Sequence, residues 1–435
     1  MLWSVCGLVM GIAQASANGR FPQAQHLVAG PGRASEIVVV RATFGLVASD
    51  DGGRRFRLLC EDFFEFLDGY DPAVELGGDG SLLVGLPDGL IATRDWCTTT
   101  RRDELRGQSV VDLTRDPSGR VVLAALVSRD VVPVARVARS TDGGQRFEVP
   151  RDGLVGVRLD TVEIAPSQGL RVYATGRAGE AATPVVYRSD DGGVGWRQTA
   201  LSVSGAAGLY VSGVHPTRPE VLWIRVSRDV VDGGLTGGGD VLLRSDDGGE
   251  TAQEVGRTAG PMRGFALRDD GEAVWMGGPD ARDGVLRSVA GGAFVRVSDR
   301  PVECLRYHAG TLWACQRFVP GGVMLARSED GGDGFADALS FAGIEAPPTR
   351  CPAGSIMREV CPSRYAQVRA LVAPTTDAGV RDAGIADAGV VPSPPGGSCR
   401  CGTGPVRGDG RAVAFAVLAL CVGRVRRRDR RRAVT

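Results

Sequence analysis

A short string, Ser-x-Asp-Gly-Gly followed by an aromatic residue, returns along the chain and constrains its fold more than any other feature. Five copies or near copies begin at Ser49, Ser140, Ser189, Ser245 and Ser328. Two weaker copies fill the gaps: Thr93-Arg94-Asp95-Trp96-Cys97 keeps the Asp, and Ser288-Val289-Ala290-Gly291-Gly292-Ala293-Phe294 keeps the Gly pair and the aromatic. The seven starts lie 44, 47, 49, 56, 43 and 40 residues apart, the period of a four-stranded propeller blade. Each copy also sits in one context: strand, turn, strand, loop, strand, motif, strand. In the fourth unit an apolar stretch at 157–165 is followed by a turn at 166–169, strands at 172–174 and 185–188, the motif, and a closing strand at Trp196. The seventh unit repeats this order at 304–307, 308–310, 312–314 and 323–327. The expectation is an all-β chain: a seven-bladed propeller of four-stranded antiparallel blades over residues 18–345.

The motif reads as a stapled turn. Its Ser hydroxyl and Asp carboxylate can bond nearby backbone amides, and paired glycines accept φ values closed to other residues. Asp51, Asp142, Asp191, Asp247 and Asp330 are therefore assigned structural roles with their serines, and no catalytic residue is assigned. Ala252 replaces the aromatic in the fifth copy, so that turn should pack less well. The segment Ser-Asp-Asp-Gly-Gly-Val-Gly-Trp at 189–196 resembles the Asp-box, or BNR repeat, of sialidase-like propellers. That family includes sialidases, other glycoside hydrolases, sorting-receptor ectodomains and photosystem assembly factors, so the resemblance implies a fold and leaves activity open.

Composition excludes some classes. The chain has 63 Gly and no Lys, and its 51 basic residues balance 51 acids. Seven Arg and one Asp lie between Arg424 and Thr435, so the rest is mildly acidic, with no basic stripe to neutralise a nucleic-acid backbone. A monomer without a cofactor or a metal is expected. At the start, the apolar run 2–13 ends in Ala15-Ser16-Ala17, the form of a signal-peptidase site, which predicts a signal peptide over 1–17 and export. An exported chain can oxidise its cysteines. Closeness in sequence pairs Cys304 with Cys315 and Cys351 with Cys361, and leaves Cys60 with Cys97. Zinc ligation would need Cys-x-x-Cys or Cys/His clusters, which the body of the chain lacks.

Beyond the last blade, 346–373 is read as a disulfide-stapled loop with a short helix near 363–373. Three Asp-Ala-Gly units and a Pro/Gly-rich stretch make 374–398 a linker. Residues 399–435 then hold Cys399 and Cys401, an apolar run at 412–423 and an Arg cluster. This order resembles the MYXO-CTERM sorting tag of myxobacterial surface proteins, which implies processing at Cys399 or Cys401 and association with the cell surface or outer membrane. A run of twelve residues is short for a full span, which needs about twenty, so a transient anchor is expected.

A sialidase-like hydrolase would need a Tyr nucleophile with a Glu helper, three Arg and an acid on one face. Phe21-Pro22 lacks the Arg-Ile of that family's motif, and Tyr173 and Tyr187 fall at repeated strand positions suited to packing. His26, His215 and His308 read as solvated turn residues in separate blades, so no histidine cluster is expected. Trp223, Trp275, Trp313 and Tyr173 share one position on the second strand of their blades and are assigned to the core between blades. The candidate ligand site is the loop joining the second and third strands, which should ring the channel mouth opposite the motif turns. Its charges are Arg41, Arg129 and Asp130, Arg177 and Glu180, Arg228 and Asp229, Asp280 and Asp283, and Arg317. The missing catalytic set, together with the anchor, leads to the expectation of a non-catalytic surface module for a protein or polysaccharide partner. The alternatives are an exo-acting glycoside hydrolase and a scaffold like the assembly factors or sorting receptors.

Overall fold

The structure, a computed structural model, describes residues 22–65, 70–228 and 239–373. The segments 1–17, 374–398 and 399–435, with Cys399 and Cys401, lie outside the described residues, as does Asp229. The chain forms seven antiparallel sheets of four strands, each built from strands consecutive in sequence. They are blades 1 to 7, over residues 24–59, 74–101, 109–155, 157–198, 208–257, 264–298 and 304–340. The expected seven-bladed propeller is therefore the fold.

Sequence explains the order of strands within a blade. Second strands such as Leu82–Leu86 and Val122–Val127 are continuous apolar runs and are buried at every position, because both of their faces pack on neighbouring blades. Fourth strands form the outer rim. Thr100–Arg101 and Arg197–Gln198 are two residues long and exposed, which leaves little edge for another chain to pair with. The core consists of clusters between adjacent blades. One joins Leu123, Ala125 and Val137 of blade 3 to Val162, Val172 and Tyr187 of blade 4. Tyr173, Trp223, Trp275 and Trp313 are all buried between blades, as expected.

The motif turns form as their chemistry requires. In five blades the Ser hydroxyl donates to the Asp two residues on, at 2.7–2.9 Å. The same oxygen accepts the amide of the second Gly, at 2.7–2.9 Å. Both glycines of each pair have positive φ, for example +81° at Gly192 and +97° at Gly193. The Asp carboxylate then accepts further amides, as Asp247 does from Glu250 and Thr251. In blade 2, Thr93 and Asp95 make the equivalent bonds around Trp96, which takes a φ of +58°.

The ring closes without exchange of strands. Residues 22–24 pair with 316–318 of blade 7. Glu345 adds a parallel bridge to Arg57 on the outer strand of blade 1. The chain then runs beneath blades 1 and 2 as two helices, α1 (Ile356–Glu359) and α2 (Cys361–Val372). Val368 and Val372 are buried there, and Tyr365 donates to Ile344 O. Two of the three disulfides differ from those expected. Cys60 bonds Cys361 and Cys97 bonds Cys351, so Cys60 is not joined to Cys97, nor Cys351 to Cys361. Helix α1 intervenes between Cys351 and Cys361 and buries Met357, so each Cys meets a different blade. Cys304 bonds Cys315 across the first hairpin of blade 7.

Candidate functional site

Antiparallel order places the turns after first and third strands at one end of the ring, and the loops after second and fourth strands at the other. The charged residues expected to ring the loop end are there, but most are already engaged. Arg41 donates to Pro72 O of blade 2 at 2.8 Å. Arg129 donates to Pro87 O at 2.7 Å and lies 3.8 Å from Asp88. Arg317 pairs with the buried Glu303 at 2.8 Å. Asp283 accepts the amides of Ala259 and Gly260, and Asp280 pairs with Arg282. These contacts fasten loops to neighbouring strands. Asp130, Glu180 and Arg228 are exposed. The loop of blade 3 also carries apolar surface, since Val131 and Val132 beside Asp130 are exposed, as is Val155 on the adjoining outer strand.

Between blades 4, 5 and 6 the loop end holds a polar chain that sequence reasoning had not assembled. Arg177 lies 3.4 Å from Asp160 and 3.4 Å from the Tyr210 hydroxyl. Arg225 sits over the Tyr210 ring, 4.3 Å from its centroid, and donates to Met262 O. Asp240 accepts the Met262 amide and stands 3.7 Å from Arg225. Burial pushes the Asp160 and Asp240 carboxyls up and the Arg225 guanidinium down; Arg177 opposes the shift at Asp160, and Arg225 opposes it at Asp240. Two arginines, each paired with an aspartate, thus converge on the Tyr210 side chain. Among the described residues, Tyr210 meets Arg177 and Arg225, with no glutamate and no third arginine in contact with it. The signal for this group was present in the sequence as Arg225, a charge inside the otherwise apolar strand Leu222–Ser227.

The axis carries a second polar cluster, contributed by first strands. Glu75 pairs with Arg115 at 3.2 Å, and Arg115 also donates to Ala29 O. Asp112 accepts the Val162 amide at 2.8 Å, and Glu163 accepts the Thr114 hydroxyl at 3.0 Å. Arg306 of blade 7 acts electrostatically on both His26 of blade 1 and Glu163 of blade 4, so these groups face one lumen. Burial raises Asp112 to about 7, and burial with the nearby Asp112 charge raises Glu163 to about 8.

The histidines are not the solvated turn residues expected. Burial, aided by Arg41 and Arg306, lowers His26 to about 3. His215 is buried against Trp223, its ring parallel to within 16°. His308 donates to Ser35 O at 3.1 Å. His215 fills the room left by Gly271, where a Cβ would meet its ring at 2.3 Å. Among the described residues no group of His, Cys, Asp and Glu could hold a metal ion, and no helix is long and apolar enough to cross a membrane.

No family model matches the chain, and no curated protein matches it. Solved structures are similar to the chain at low identity. Hydrazine synthase of Kuenenia stuttgartiensis is 12% identical, covers 72% of this chain and 97% of its own, and superposes with a TM-score of 0.49. A GH74 xyloglucanase of Xanthomonas campestris is 15% identical over 72% of this chain and 64% of its own, with a TM-score of 0.32. The Hadza microbial sialidase Hz136 is 14% identical over 65% of this chain and 71% of its own, with a TM-score of 0.39.

Proposed function

We propose that this protein is an exported, surface-held propeller that binds a protein or polysaccharide partner through its loop end without transforming it. The observation that carries the reading is the blade 3 loop, where exposed Val131 and Val132 adjoin the exposed charge of Asp130. Apolar residues ringed by polar ones are the usual make-up of a contact surface. Arg177 and Arg228 extend that surface towards blades 4 and 5. The apolar run at 2–13, and the order of Cys399, Cys401, apolar run and Arg cluster, support export and retention at the cell surface.

The test is a polysaccharide and glycan array probed with the full chain, with released sugar assayed in the same wells. Binding without release is expected, about tenfold weaker for Arg177→Ala with Arg228→Ala. Sugar release abolished by Tyr210→Phe would replace this reading with the hydrolase one, which the placement of Tyr210 between Arg177 and Arg225 favours. Retention is tested separately by deleting 399–435. The truncated chain should appear in the medium, and unchanged surface retention would refute the anchor.

A further inference from the structure

The motif end of the ring contains one junction that departs from the others. At the junction of blades 6 and 7, Trp275 Nε1 and Arg287 Nη1 both donate to Gly331 O of the next motif turn, at 2.7 and 2.9 Å. Between blades 7 and 1 the turn is pressed so close that a Cβ on Gly53 would meet the Trp313 ring at 2.8 Å. Between blades 4 and 5, Tyr173 donates to Pro219 O at 2.7 Å. Each aromatic is thus covered by the following blade.

Trp223 of blade 5 is not covered in this way, because blade 6 lost the Asp of its motif. Ala290 stands there with a φ of +49°, followed by Gly291 at +74°. Ser288 donates to Gly292 O, whereas the other motif serines accept an amide. The altered turn stands off. A Cβ on Gly291 would meet only the Arg244 guanidinium, at 3.3 Å. The space left is a cleft of about 190 Å³ lined by Trp223, Arg218, Arg244, Glu272, Val274 and Phe294.

The chemistry of the lining selects a ligand class. Arg244 is neutralised by Asp246 at 2.7 Å. Arg218 and Glu272 have no side-chain partner among the described residues and carry opposite charge on the two walls, so the cleft as a whole is neutral. Donors outnumber acceptors, and Val274 and Phe294 supply apolar faces. His215 Nδ1 accepts the Thr217 and Arg218 amides, so its proton is on Nε2, a buried donor without an acceptor. That nitrogen lies against Gly271 at the cleft wall, 2.3 Å from where a Cβ would be. Pockets for drug-sized molecules run to roughly 300–1,000 Å³, and this smaller one suits a single ring.

We propose that the cleft between blades 5 and 6 binds a neutral polyhydroxylated ring, a single sugar unit, through Arg218, Arg244 and Glu272 with Phe294 against its apolar face. Charged and neutral hydrogen-bonding groups around Trp223 and Phe294 match the alternation of hydroxyls and C–H faces on a pyranose. The site is separate from the loop end, so its failure would leave the partner-binding reading intact. Titration calorimetry and saturation-transfer NMR on the full chain would use the methyl glycosides of glucose, galactose, mannose and N-acetylglucosamine, with sodium acetate as the charged comparison. At least one glycoside should saturate with a Kd on the order of millimolar, as expected for so small a ligand. Arg218→Met and Glu272→Gln, both exposed positions, should each weaken it at least fivefold, and Arg327→Met, at an exposed position on blade 7, should not. No saturable glycoside binding would overturn the proposal. So would acetate binding in preference, or glycoside binding unchanged in both cleft variants.

Discussion

Asp112, Glu163 and His26 sit where water is scarce, and each keeps its neutral form further into the pH range than it would in water. The consequences for stability run in opposite directions. A carboxyl whose folded pKa is raised contributes stability that is complete below about 4 and is lost as pH climbs, here through about 7 for Asp112 and about 8 for Glu163. His26, lowered to about 3, contributes stability that is present above 6.5 and lost as pH falls towards 3. The isosteric pair Asp112→Asn and Glu163→Gln keeps acceptors for the Val162 amide and the Thr114 hydroxyl but cannot ionise. Urea denaturation at pH 5 and pH 8.5 should show the double variant gaining several kcal/mol on the parent between the two pH values, since each buried carboxyl costs the parent about 1.4 kcal/mol per pH unit from pH 5 to its folded pKa. Parallel profiles for the two proteins would show that the carboxyls are solvated and ordinary.

At the scale of elements, legibility followed how strongly local chemistry determines position. The motif turns were readable because Ser, Asp and two glycines specify one backbone path, and the second strands because burial on both faces demands unbroken apolar runs. Trp223, Trp275 and Trp313 were assigned to the core by their shared strand position, and they are buried. First strands were harder. Asp112, Glu163 and Arg306 read as breaks in an apolar pattern, and only closure of the ring brings residues from blades 3, 4 and 7 to one axis. The loop residues were placed at the right end, but sequence did not disclose that Arg41, Arg129 and Arg317 are already engaged by blade 2 carbonyls or by Glu303. The cystines were misjudged because proximity in sequence was taken for proximity in space. Cys351 and Cys361 are ten residues apart in the chain, yet a helical turn and a buried Met357 direct them to different blades.

The whole molecule is a ring whose first and last blades share no strand, so its seam depends on the short backbone pairing of 22–24 with 316–318, on side contacts and on two cystines. Cys60–Cys361 and Cys97–Cys351 span 301 and 254 residues, whereas Cys304–Cys315 spans 11. The chain-entropy model gives about 5 kcal/mol for closing loops of the longer kind and about 3 kcal/mol for the short one. Replacing Cys60 and Cys361 by Ala should therefore lower the melting temperature more than replacing Cys304 and Cys315. An equal or smaller effect would mean that the seam holds without its cystine.

The same bond also decides where tension can travel. A pull applied between residues 22 and 373 follows the chain from its start to Cys60, crosses the sulfur bridge to Cys361, and leaves through helix α2. Blade 1 lies on that route. Residues 61–360, which include blades 2 to 7, form a side loop whose backbone carries no load while the bridge is intact. A tethered molecule under flow would thus surrender one blade and helix α2 before the chain of its other blades was drawn out, and in a reducing medium it would lose that protection.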